Sequence, residues 1–129
     1  MPVILIVEDH PLLRQSLCDV MARRFPDHRI VPAEDGEEAI ALAGELRPAA
    51  VVIDLKLPGI SGLAATAAIK KAVPETRVVV HSIFNSPALR RQASTAGADA
   101  YVAKDEGIAR LVRTIRTLTR AASPRTDAE

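Results

Sequence analysis

The stretch Ala49-Ala50-Val51-Val52-Ile53-Asp54-Leu55-Lys56-Leu57-Pro58-Gly59-Ile60-Ser61-Gly62 decides how this chain is read. An apolar, largely β-branched run ends on a lone carboxylate, and a loop of turn-forming residues follows. Such a run taken alone fits either a strand or a buried helix segment. What surrounds it separates the two.

Upstream, Val3 to Val7 is a second continuous apolar run, closed by Glu8-Asp9-His10. His28 to Val31 is shorter and more polar, as expected toward a sheet edge. Downstream, Arg77 to His81 ends at Ser82, and Ala100 to Ala103 ends at Lys104. Helical patterns fill the intervals. Pro11 opens one, with Leu12, Leu13, Leu17, Val20 and Met21 on one face, and Pro26-Asp27 stops it. Asp35 caps a helix running to Leu46, with Glu38 at capping-box spacing. Ser61 caps a helix from about Gly62 to Val73, which Pro74 ends. Ser86-Pro87 starts a helix to about Ala96, with Gly97 at its C-terminal cap. Ile108, Leu111, Val112, Ile115 and Leu118 line a final helix.

The order is (βα)5. Apolar strands separated by helices imply an α/β fold, a parallel sheet covered on both faces. With right-handed crossovers the simplest solution is a doubly wound three-layer sandwich, whose working crevice lies at the carboxyl ends of the strands. Glu8-Asp9, Asp54, Ser82 and Lys104 all fall at those ends.

Composition agrees with one such domain. The chain has 129 residues, 48% hydrophobic and 26% charged, with net charge +1, so composition points to neither a nucleic-acid footprint nor an acidic tail. Phe25, Phe84 and Tyr101 are the only aromatics, which leaves the core to Val, Ile, Leu and Ala. A lone Cys18 rules out an intramolecular disulfide. No signal peptide or membrane-length apolar run is present, which makes the cytoplasm the expected compartment. Residues 1–120 read as the domain, and 121–129 as a disordered tail or the start of an interdomain linker.

The chemistry follows from the residue types. Carboxylates crowded together repel, so they share a proton or a cation. Mg²⁺ suits all-oxygen ligation by Asp9 and Asp54 directly and by Glu8 directly or through water, and Lys56 offers a backbone carbonyl as a further candidate ligand. An Asp so placed can attack phosphorus and form an acyl phosphate. Lys104 and the Ser82 hydroxyl would then meet oxygens of the transferred group.

The strings Ile-Leu-Ile-Val-Glu-Asp-His (4–10), Val-Val-Ile-Asp-Leu-Lys-Leu-Pro-Gly-Ile-Ser-Gly-Leu (51–63), Val-Val-Val-His-Ser (78–82) and Ala-Gly-Ala-Asp-Ala-Tyr-Val-Ala-Lys (96–104) resemble response-regulator receiver domains of two-component signalling. The resemblance covers residues 3 to about 120 and implies the flavodoxin-like receiver fold. It implies Asp54 as phosphoacceptor, Glu8 and Asp9 as the acidic metal pair, Ser82 as the hydroxyl that closes on the phosphoryl group, Tyr101 as the switch aromatic and Lys104 as the site lysine. It also implies a histidine kinase, phosphotransfer protein or small phosphodonor as the source, slow self-catalysed hydrolysis, and signalling or homodimerisation through the fourth helix, fifth strand and fifth helix. His-Pro-Leu-Leu-Arg (10–14) and Lys-Asp-Glu (104–106) lean toward the subgroup often joined to a helix-turn-helix domain. DNA contact would then belong to an output domain outside this chain.

Two positions depart from the commonest pattern. Ile83 follows the switch hydroxyl where a small residue is frequent, and would crowd the pocket mouth. His81 takes a usually apolar position and is expected to face away from Ser82 as a satisfied, partly buried histidine. His10 is read as helix-start geometry. Arg110, Arg113, Arg116 and Arg120 recur along one side of the last helix and fit either a basic patch shared with Arg90 and Arg91 or a solvated face that complements the helix C-terminus. The competing functions are a metal-dependent phosphotransferase or phosphatase acting on external substrates, and a phosphorylation-independent interaction domain. The first lacks a second carboxylate just after Asp54, where Lys56 stands, and lacks any insertion long enough for a lid.

Overall fold

Side chains alternate along each strand, and that alternation divides the core into two halves. The computed structural model describes the backbone of residues 1–122 and the side chains of residues 1–120. Strands β1 (Val3–Val7), β2 (Arg29–Ala33), β3 (Ala50–Ile53), β4 (Arg77–Ser82) and β5 (Ala100–Ala103) alternate with α1 (Pro11–Arg24), α2 (Gly36–Leu46), α3 (Gly62–Ala72), α4 (Pro87–Ala96) and α5 (Ile108–Ala122). The sheet is parallel throughout, in the order β2-β1-β3-β4-β5. Leu5, Val7, Val51, Ile53, Val78 and Val80 point to one face, against Ala39 and Ala43 of α2, Ala65 and Ile69 of α3, and Ala93 of α4. Ile4, Ile6, Val52, Val79 and Val102 point to the other, against Leu17 and Met21 of α1 and Leu111, Val112 and Ile115 of α5. The doubly wound sandwich expected from the sequence is the observed fold.

The strand order reverses between β1 and β3, which opens a crevice at their carboxyl ends. Val7, Ile53, Val80 and Tyr101 lie level across the sheet, so Glu8, Asp54, Ser82 and Lys104 follow them at the same end.

The caps are largely those read from the sequence. His10 Nδ1 accepts from Leu13 N–H, Ser61 Oγ from Ala64 N–H and Ser86 Oγ from Leu89 N–H, at 3.3, 3.1 and 3.1 Å. Asp35 Oδ1 accepts from Glu38 N–H, but the returning bond to Glu38 Oε1 comes from Glu34 N–H instead of Asp35, a shifted capping box. Gly97 ends α4 with φ +105°, the left-handed cap that favours glycine.

Several details differ from expectation. Leu12 is 76% exposed and does not belong to the buried face of α1. Ile108 is exposed at the start of α5 while its four-residue neighbour Val112 is buried. β2 runs on to Ala33 through Pro32, which an edge strand tolerates because one side of it pairs with nothing. Lys104–Glu106 forms a 3-10 turn where the sequence suggested only a strand end. α5 continues to Ala122, beyond the expected boundary at 120, and residues 123–129 of the expected tail lie outside the described residues. Among the described residues no helix is long and apolar enough to cross a membrane.

An ionic knot fastens the amino-terminal side of β4. Asp99 accepts from Lys70 Nζ at 3.0 Å, Arg77 Nη1 at 3.2 Å and Val78 N–H at 2.8 Å, joining α3, β4 and the approach to β5.

Candidate phosphoacceptor and metal site

Backbone bonds set the floor of the site. Glu8 N–H donates to the Ala33 carbonyl at 3.1 Å and Asp54 N–H to the Val7 carbonyl at 3.2 Å, extending the sheet ladder by one residue beneath each acid. α3 begins tightly against this floor: a Cβ on Gly62 would overlap the Asp54 carbonyl oxygen and stand 2.7 Å from Leu55 Cα. Only glycine permits that approach.

Glu8, Asp9 and Asp54 each offer a carboxylate oxygen, and these oxygens lie within 4.8 Å of one another. Glu8 and Asp54 are buried and Asp9 is exposed. Lys104 Nζ joins the buried pair, donating to Asp54 Oδ2 at 2.8 Å and Glu8 Oε1 at 3.0 Å. Burial pushes the Glu8 carboxyl up, and the His10 N–H and Lys104 bonds pull against it. Burial alone would lower Lys104, but its bonds to Asp54 and Glu8 outweigh that and hold it above the ordinary lysine range. The donor set is hard, anionic and all oxygen, and it fits Mg²⁺. Lys56 is exposed; its N–H lies 3.4 Å from Asp54 Oδ1.

The residues read as candidates are therefore brought to one end of the sheet. Ser82 ends β4 fully buried, level with Ala103, the residue before Lys104. Its Oγ accepts from Phe84 N–H at 3.1 Å, which leaves the hydroxyl proton free to donate. The half-buried Tyr101 donates its OH to the Phe84 carbonyl at 2.7 Å. Ile83, the next residue after Ser82, is 69% exposed, and Lys56 Nζ lies 5.8 Å from the centre of the Phe84 ring.

His81 corrects one expectation. It is buried, and strand alternation turns it away from Ser82, but its Nδ1 has no hydrogen-bond partner among the described residues, where a satisfied histidine was expected. Burial, assisted by the Lys104 charge and opposed by Asp54, pushes its pKa down to about 4. The single basic patch also dissolves. Arg116 packs on the Phe25 ring at 4.7 Å and donates to the Arg24 carbonyl, toward α1. Arg90 turns inward to Tyr101 and Glu106. Sequence reasoning missed the structural parts played by Phe84, Arg90 and Glu106. Only the last carried a local signal, its three-residue spacing from Ala103, whose N–H it accepts at 2.8 Å.

A doubly wound sheet with an acidic cluster, a lysine and a buried hydroxyl at its switch point defines a phosphoacceptor switch domain. The chain belongs to the response-regulator receiver family, whose description "Response regulator receiver domain" its sequence matches over residues 4–116. It is 34% identical over 113 residues to the response regulator GacA of Pseudomonas aeruginosa, covering 88% of this chain and 53% of that protein. It is 35% identical over 103 residues to the nitrate/nitrite response regulator protein NarL of Escherichia coli, covering 79% and 47%. The chain thus spans about half the length of these curated relatives. A LuxR-family DNA-binding response regulator from Staphylococcus aureus superposes with TM-score 0.84 at 30% identity, covering 92% of this chain and 99% of that one. The response regulator TrrA of Thermotoga maritima, solved in complex with Mg²⁺-BeF, superposes with TM-score 0.81 at 29% identity, covering 92% and 99%.

Proposed function

We propose that Asp54 accepts the phosphoryl group, from a histidine kinase, a phosphotransfer protein or a small donor such as acetyl phosphate. The observation that carries this is Lys104 Nζ bridging Asp54 Oδ2 and Glu8 Oε1 beside the exposed Asp9. Glu8, Asp9 and Asp54 would hold Mg²⁺, with the Lys56 carbonyl as a further ligand. When bound, that ion neutralises charge on the carboxylates and the arriving phosphoryl oxygens.

An Asp54 carboxylate oxygen attacks phosphorus as the bond to the donor breaks, giving an acyl phosphate. Lys104 then exchanges its bond to Asp54 for one to a phosphoryl oxygen, and the free Ser82 proton meets another. Self-catalysed hydrolysis, slowed by Ile83 at the mouth, returns Asp54 to its carboxylate. Ser82 and Tyr101 meet on the two sides of one residue, Phe84, which supports reading them as the switch pair.

Output would pass through α4, β5 and α5, where Arg91 and Arg113 are exposed; with the exposed Asp105 of the turn between β5 and α5 they offer opposite charges to a second copy. The likeness to a LuxR-family DNA-binding response regulator supports an output domain that binds DNA and regulates transcription, with the cytoplasm as the compartment we propose. The external-substrate enzyme is disfavoured because the exposed Lys56 stands where that chemistry needs a second acid.

Intact mass of wild type and Asp54→Asn after incubation with acetyl phosphate and Mg²⁺ tests this. Gain of one phosphoryl group by wild type alone is expected. A gain by both would move the acceptor elsewhere, and no gain even from a histidine kinase would favour a phosphorylation-independent interaction domain.

A further inference from the structure

Arg90 sits four residues into α4, near the positive end of the helix dipole, where a cation does nothing for the helix itself. Each nitrogen of its guanidinium donates elsewhere. Nε donates to Asn85 Oδ1 at 2.8 Å, Nη1 to the Tyr101 carbonyl at 3.1 Å and Nη2 to Glu106 Oε2 at 3.1 Å. The same group stacks over the Tyr101 ring, with Cζ 4.7 Å from its centroid. Those acceptors belong to separate segments: the loop before α4, β5, and the turn that begins with Lys104.

Each segment leads back to the site. Glu106 Oε2 also accepts from Ala103 N–H at 2.8 Å, so the arginine reaches the residue before Lys104 through one carboxylate. The far end of Tyr101 is tied to Phe84, whose N–H holds Ser82. A planar fork can span such acceptors and lie on a ring at once, which an ammonium cannot do.

We propose that Arg90 is a positioning residue of the switch: it clamps the Tyr101 ring and fastens α4 to the Lys104 turn, so that ring, helix and turn change together when Asp54 is phosphorylated. This rests on the reading of Asp54, Ser82 and Tyr101 above. The partner helix and the phosphorylation site are then coupled through the arginine, because each conformation of the ring must either keep or break its bonds.

Tyr101 is the sole tyrosine, so incorporation of 3-fluorotyrosine yields one fluorine resonance that reports this ring alone. Wild type is expected to show a single resonance that shifts on addition of acetyl phosphate and Mg²⁺. In Arg90→Ala a second ring position should gain population about tenfold, from loss of the cation–π contact and its accompanying bonds. Arg90→Lys should restore the ring only in part. A merely structural arginine would lower the melting temperature and leave the resonance in place; that result, or full restoration by lysine, overturns the proposal. Should Arg90→Ala not fold, Glu106→Gln and Asn85→Ala each remove one arm, and a resonance unmoved in both overturns it equally. Intact mass of wild type read in parallel keeps the two ideas apart. Absence of phosphoryl gain would sink the acceptor reading, while the comparison of ring positions before any donor is added still decides the clamp.

Discussion

Lys104 Nζ lies 2.8 Å from Oδ2 of Asp54, although the two residues are 50 positions apart in the chain. The contact exists because β3 and β5 flank β4 in register, so both strands deliver their next residue to the same end of the sheet. It leaves the lysine compensating a carboxylate that the proposed chemistry must later release.

Removing that lysine exposes the repulsion it masks. Lys104→Ala is expected to lose about 2 kcal/mol of unfolding free energy in metal-free buffer, less than a fully buried pair because the lysine side chain retains 17% exposure. Saturating Mg²⁺ should narrow the gap by binding the uncompensated acids more tightly in the variant. Urea denaturation with and without Mg²⁺ measures both quantities, and equal stability of variant and wild type would refute the electrostatic role.

Asp9 tests the metal set separately, since it is exposed and takes no part in the lysine bridge. Asp9→Ala should therefore keep the metal-free stability within about 0.5 kcal/mol. Its Mg²⁺ affinity should nonetheless fall tenfold or more, from loss of one anionic oxygen ligand. Mg²⁺ titration followed by calorimetry gives the affinity directly, and an unchanged value would remove Asp9 from the ligand set.

The buried His81 makes stability depend on pH. Its folded pKa is about 4 against an ordinary 6.5, so the unfolded chain binds a proton that the folded one refuses. Its contribution is complete above pH 6.5 and is lost as pH falls through about 4, amounting to about 3 kcal/mol across that window. His81→Leu keeps an apolar side chain at the site and removes the unpartnered Nδ1. The difference in stability between variant and wild type should grow in the variant's favour from pH 7 to 4, as read by denaturation at each pH. A constant difference would show that His81 does not titrate in this range.

Gly62 carries a steric requirement. Its Cβ would enter the backbone of Asp54 and Leu55, which cannot yield as a flexible side chain would. Gly62→Ala should cost about 2 kcal/mol or more and displace the end of β3 at Asp54. Gly44→Ala, at a helical position with nothing within 4 Å, is the control and should be neutral or slightly stabilising. Thermal melts of the two variants separate the local clash from a general glycine effect.

Asp99 should matter to the fold and not to the site. Asp99→Ala strips Lys70 and Arg77 of their shared carboxylate and frees the Val78 N–H, for an expected loss of about 3 kcal/mol. Once refolded at low temperature, the variant should still take up phosphate on Asp54 by intact mass. Wild-type stability would mean that the ionic knot contributes nothing.

Much of this protein follows from local residue chemistry. Apolar runs such as Val3–Val7 and Ala50–Ile53 can only be satisfied by burial on two faces, and their alternation with helices leaves one economical topology. Capping depends on neighbours a few residues apart, so Ser61, Ser86 and Gly97 were legible as written. The acids and Lys104 were legible because strand ends are known once the strands are, and a parallel sheet brings its strand ends together. Side-chain contacts between distant segments were not. Nothing near Arg90 in the chain says that it faces Tyr101 and Glu106, and the spacing of the α5 arginines does not reveal that Arg116 lies on Phe25. Leu12 remains in solvent while the adjacent Leu13 packs on the core, because Leu12 faces away from Leu17 and Met21 around α1. Even His81 was placed on the correct face while its missing partner stayed hidden. Periodicity fixes a direction from the backbone, whereas a hydrogen-bond partner depends on what the packed fold delivers to that point.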